Sequence, residues 1–170
     1  MEEKKISDLA YELLSEFLEG VKQELLDELD GKRRAGEFRD DKEFTQFGNR
    51  NATGKTRNSI KVNIGPMKGN VTAAEHIFYT FTGRAPGKRP PLSNIIDWCV
   101  AKGLPRGAAW PIAKKIAESG TALYRAGARE KNVLLDVTSR ERIEAFKEKI
   151  KERFITQIRS EIIEDINTKF

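Results

Sequence analysis

The sequence predicts an α+β domain: a small antiparallel sheet with two short helices, flanked by long amphipathic N- and C-terminal helices. Three observations carry that expectation. Both ends of the chain repeat apolar side chains at spacings of three and four, the helical period. Residues 60–64 alternate apolar and polar, the strand period. Glycine and proline cut the middle into pieces too short for anything but small elements.

Ile6, Leu9, Leu13, Phe17 and Val21, with Leu14, Leu18, Leu25 and Leu29 beside them, make one apolar side of a helix over residues 4–29, closed by Asp30-Gly31. Periodicity then vanishes from Lys32 to Gly54, so residues 31–53 read as a long loop, mobile or ordered on a partner. A helical turn follows over Lys55–Ser59. Ile60, Val62 and Ile64 alternate with Lys61 and Asn63 as a strand. Gly65-Pro66 and Gly69-Asn70 bracket a turn, and Val71–Thr82 reads as the antiparallel second strand, ending in Ile77-Phe78-Tyr79-Thr80-Phe81.

After the Pro/Gly/basic turn at residues 83–91, Leu92–Lys102 reads as a short helix stopped by Gly103, with Ile95, Ile96, Cys99 and Val100 inward. Ala108–Ser119 is a second, with Pro111 in its first turn, where a missing N–H costs nothing. Asn132–Val137 reads as a third strand. Thr138 with Glu141 three residues on reads as a capping box opening the last helix. That helix runs to about Asn167, with Ile143, Phe146, Ile150, Phe154, Ile158, Ile162 and Ile166 on one stripe. The chain of 170 residues fits a single domain, 1–170, without internal repeats.

Charge is unevenly spread. Residues 1–30 carry a net −7, residues 31–130 a net +11 and residues 131–170 a net +1. Such an asymmetry pairs the acidic arm of one copy with the basic body of the next, or binds nucleic acid through the body. No apolar run approaches the roughly 20 residues that span a bilayer, and the N-terminus lacks a signal-peptide pattern, so no membrane partner is expected. Cys99 has no second cysteine to pair with, and its apolar neighbours predict a buried, inert thiol.

Catalytic chemistry has little to stand on. Gly48-Asn-Arg-Asn-Ala-Thr-Gly54-Lys55-Thr56 imitates a phosphate-binding loop, but five residues separate its glycines where four are needed, and Phe44–Phe47 is a poor buried strand. His76 is the only histidine, so no zinc-ligand spacing arises. The expectation is no enzyme, no cofactor and no metal. Nucleic acid is the stronger alternative: Arg33, Arg34 and Arg50 lie in a basic loop interleaved with Phe38, Phe44 and Phe47, suited to phosphate contact and base stacking. Glu37, Asp40, Asp41 and Glu43 interrupt that positive field, and no known nucleic-acid-binding motif is present.

Gly83-Arg84-Ala85-Pro86-Gly87-Lys88-Arg89-Pro90-Pro91, then Ile95-Ile96-Asp97-Trp98 and Lys102-Gly103-Leu104, form an ordered set. Upstream stands Thr53-Gly54-Lys55-Thr56-Arg57-Asn58-Ser59-Ile60; downstream stand Ala113–Ala117 and Gly120-Thr121. Together they resemble the neck, tail-completion and virion-morphogenesis proteins of tailed bacteriophages over residues 53–125. That family's Tyr-Ala-x-x-x-Glu-x-Gly-Thr passage is replaced here by Phe78–Gly83, without the acidic residue. The resemblance implies a structural virion protein, a head–tail connector or tail-completion subunit in a homo-oligomeric ring. Its partners would be further copies of itself, portal or neck or tail-tube proteins, and loosely any DNA passing through. Its contact residues would include Arg84, Pro86, Lys88, Arg89, Pro90, Pro91 and Trp98. The prolines pre-set φ and so lower the entropy lost on docking.

Overall fold

The N-terminal apolar repeat folds as expected into α1 (Ile6–Leu29), and this helix is the spine on which the rest is built. The computed structural model describes residues 6–31, 50–65, 68–130 and 132–169; most of the predicted 31–53 loop, with Arg33 and Arg34, lies outside them. The chain re-enters at Arg50, whose backbone N–H donates to Leu29 O at the end of α1 (2.8 Å).

The elements that follow are α2 (Lys55–Ser59), β1 (Lys61–Ile64), β2 (Gly69–Thr72), α3 (Ile77–Thr82), α4 (Leu92–Ala101), a 3₁₀ turn (Arg106–Ala108), α5 (Ala109–Ser119), α6 (Ala122–Arg125), α7 (Val133–Val137) and α8 (Arg140–Lys169). This is an α+β molecule with a long helix at each end. The strands pair antiparallel, Lys61 opposite Thr72 and Ile64 opposite Gly69, and α1 lies across them. A side chain at Gly69 would collide with Leu18 and Leu14, so glycine is what lets the helix sit this close to the sheet.

Two expected strands are helices. Ile77–Phe81, read as the end of a long second strand, forms α3, and β2 stops at Thr72. Asn132–Val137, read as a third strand, contains α7. An unbroken run of apolar and β-branched residues has no period of its own, so packing decides its conformation. In both segments the buried pair stands four residues apart: Ile77 with Phe81, and Val133 with Val137. One helical turn presents both members of each pair to a single core. That core joins Val21, Leu25, Leu29, Ile60, Ile77, Phe81, Val133 and Val137.

Asn132 starts α7, its side-chain oxygen accepting from Leu134 and Leu135 N–H while its amide donates to Ala128 O and Arg129 O. Thr138 does not open the last helix. Its hydroxyl donates to Leu134 O (2.6 Å) and finishes α7, and Ser139 Oγ accepts from Arg142 N–H instead.

Helices α4 and α5 pack on each other as a second layer, with Cys99, Ala109 and Ala113 buried on the pair. Cys99 is fully buried, as its neighbours predicted, but Val100, expected inward, is exposed. The acidic arm is part of the fold. Glu24 takes Arg142 in a bidentate pair (2.6 and 2.7 Å), Glu16 takes Lys149 (2.8 Å) and Phe17 stacks on Phe146 at 4.1 Å between ring centroids. Helices α1 and α8 therefore run antiparallel, and Glu16 and Glu24 of the acidic arm find their counter-ions within the chain.

Candidate interaction surface

Gly83 and Gly120 set up the basic turn. Gly120 ends α5 at φ +72°, and a Cβ there would stand 2.8 Å from Arg84 O, so the two chain segments touch backbone to backbone. Thr121 N–H donates to Arg84 O and Arg84 N–H to Thr121 Oγ1, each at 2.9 Å, while Gly87 N–H donates to Ala117 O at 2.8 Å. Residues 84–87 are thus tied to the end of α5 and the residue after Gly120. Pro90 is buried, while Pro86, Lys88, Arg89 and Pro91 face solvent.

The basic side chains of the turn lie against aromatic rings. Arg84 donates to Lys88 O (3.0 Å), and its guanidinium sits 5.2 Å from the Tyr79 ring centroid. Arg89 lies 5.3 Å from the centroid of Trp110, which Lys114 also approaches at 5.8 Å. Each is within cation–π range. Tyr79, Arg84, Lys88, Arg89, Trp110 and Lys114 therefore form one continuous strip. Trp110, 51% exposed at the start of α5, is its largest apolar member.

The sequence reading singled out Trp98 and passed over Trp110. Trp98 is 38% exposed on α4, and Arg89 turns to the other indole. The available signal was Trp110 four residues before Lys114 at a helix start, a spacing that puts both on one face.

Arg50 plays a different part from its expected one. Its guanidinium pairs with Glu28 (2.5 Å), both side chains largely buried, and reaches Thr80 O. It ties the re-entering chain to α1 and α3, and its charge is spent there. Lys55, the lysine of the false phosphate loop, pairs with Asp97 at 2.6 Å and links α2 to α4. His76 Nε2 meets Thr56 Oγ1 at 3.0 Å, and Ser59 Oγ bridges Thr56 O and Ala74 N–H. The result is a polar clip joining α2 to the start of α3. Among the described residues no three His, Cys, Asp or Glu side chains are grouped to hold a metal, and no helix is long and apolar enough to cross a membrane.

The expected stripe on α8 is really two faces. Each step of four residues overshoots a full turn by about 40°, so a row built of such steps winds around the helix. Arg142, Phe146 and Lys149 face α1. Ile155, Ile158, Ile162 and Ile166 centre roughly 160° from them around the helix. These four, with Ile163, are 41–59% exposed. The side that continues the α1-facing row carries Gln157 and Ser160, the Ser160 hydroxyl donating to Gln157 O at 2.7 Å.

No family model, curated protein or solved structure matches this chain.

Proposed function

We propose that this chain is a non-enzymatic structural subunit of a tailed-phage virion, a head–tail connector or tail-completion protein that assembles into a homo-oligomeric ring. The observation that carries the assembly role is the row of exposed isoleucines on α8, turned away from the chain's own α1. A contiguous apolar row of this kind on a soluble helix marks a surface that another molecule covers. The turn at residues 83–91 adds support, because its first half is bonded to the end of α5 while Lys88 and Arg89 face outward. The phage assignment rests on the ordered resemblance over residues 53–125. His76 bonds Thr56 within the polar clip that ties α2 to the start of α3, a role in holding the fold that supports the structural reading.

Mass measured by sedimentation across a salt series tests the ring. The expected result is an oligomer of defined size; a strict monomer at high concentration, together with absence from purified virions, overturns it. A nucleic-acid-binding module is the second reading, favoured by residues 84–125 carrying eight basic and two acidic side chains. It requires a DNA affinity that falls steeply with salt and drops when Arg84, Lys88 and Arg89 are replaced.

A further inference from the structure

We infer that the strip from Tyr79 to Lys114 docks on the phosphate backbone of double-stranded DNA, through charge and without reading base sequence. This rests on the nucleic-acid reading above only in that DNA is touched, and it holds for a ring subunit and a free monomer alike. Three observations select the strip and its partner.

The first is charge left without a counter-ion. Among the described residues no carboxylate pairs with Arg84, Lys88 or Arg89, and Glu118, 3.8 Å from Lys114, is the one that pairs with any member of the strip. On α8, by contrast, Arg142, Lys147, Lys149 and Lys151 each face a glutamate. Neighbouring cations without counter-ions on an exposed turn attract a polyanion.

The second is preorganisation. Arg84 donates to Lys88 O and lies against Tyr79, and Arg89 lies against Trp110. A guanidinium set against a ring keeps N–H donors for phosphate oxygens and loses less freedom when it binds them. The bonds from Gly87 to Ala117 and between Arg84 and Thr121 give these cations a fixed base.

The third is the choice of anion. The acidic arm of a neighbouring copy is less suited, since Glu16, Glu24, Glu28 and Asp30 already hold Lys149, Arg142, Arg50 and Arg57 of their own chain. Duplex DNA carries one charge per ~1.7 Å of axis, and each contact to it releases more counter-ion than a contact to a single strand. Both rings of the strip are already met by its own cations, so it offers phosphate contact in place of base stacking.

Fluorescence anisotropy of a labelled mixed-sequence duplex, titrated with the full chain across a salt series, tests it. Three phosphate contacts predict a log–log salt slope of about −2.7, which is a loss of roughly 40-fold between about 50 and 200 mM. Lys88→Gln with Arg89→Gln should flatten the slope by about 1.8 and weaken binding at least about tenfold. Both positions are exposed, so circular dichroism should match the parent. Lys147→Gln with Lys151→Gln removes the same charge from paired positions and should leave affinity and slope nearly unchanged. Trp110→Leu keeps every charge and should weaken binding about two- to fivefold at the same slope, through the loss of the ring that sets Arg89. If the duplex binds but the Lys88/Arg89 variant matches the parent, or the two double variants weaken it equally, the strip is not the site and the nucleic-acid reading stands. If a single strand of the same sequence binds more tightly than the duplex, or phosphatidylserine vesicles bind where DNA does not, the partner is wrong and the inference is overturned. If neither form of DNA nor the vesicles bind, the inference and the nucleic-acid reading fall together.

Discussion

Arg50 shows how much a residue's neighbours decide its role. In the sequence it is one arginine among many in a polar, basic stretch; in the fold it is the partner of a buried glutamate. Removing one member of a buried pair costs about 3–5 kcal/mol, since the remaining charge loses its counter-ion. Arg50→Ala should therefore lower the midpoint of chemical denaturation substantially while leaving any nucleic-acid affinity unchanged. Loss of affinity at unchanged stability would return Arg50 to the surface role. Gly120 makes the converse case, where a side chain must be absent. Gly120→Ala puts a Cβ against Arg84 O in a left-handed backbone conformation, and should cost about 1–3 kcal/mol. Limited proteolysis should then cut within residues 84–91 faster than in the parent chain. Asn132→Ala removes the α7 cap and strips Ala128 O and Arg129 O of a donor, a loss of about 1–2 kcal/mol readable by thermal melting.

At the scale of elements, helices with a long period were legible and short apolar runs were not. Leu13, Val21, Leu25 and Leu29 sit at helical spacing over many turns, so their burial followed from pattern alone. Ile77–Phe81 and Val133–Val137 are too short to show a period, and their β-rich composition pointed the wrong way. Asn132 immediately before an apolar run was nevertheless a readable N-cap signal. The basic turn was legible as a rigid platform, but its pairing with Trp110 was not, because the two lie on separate elements.

The α1–α8 contact makes a prediction about pH. The hydrogen bond from Lys149, aided by its charge, holds the Glu16 carboxyl below the ordinary carboxylate range. A depressed carboxylate contributes stability above its unfolded value and loses it as pH falls through the folded one. Acidification should thus loosen α1 from α8, modestly because the pair is exposed and screened by salt. The measurement is the fall in melting temperature on acidification, expected to be smaller in Glu16→Gln than in the parent. An equal fall in both would show that the pair contributes nothing.

For the whole molecule, the division between core and surface predicts a division between folding and assembly. Leu29→Ala empties a fully buried site in the core that α1 shares with α3 and α7, at about 2–5 kcal/mol. Ile162→Asp should leave monomer stability within about 0.5 kcal/mol, as exposed substitutions do. Denaturant titration of the two side by side checks both numbers. The net charge of each segment was legible in the sequence, but its destination was not, because no local pattern says that Glu24 will find Arg142. The pairs that close α1 onto α8 span 118 and 133 residues of chain. On the ribosome, then, α1 leaves the exit tunnel long before its basic counterpart on α8 exists. Until then the α1 face that will receive Arg142 and Lys149 stands uncovered on the nascent chain.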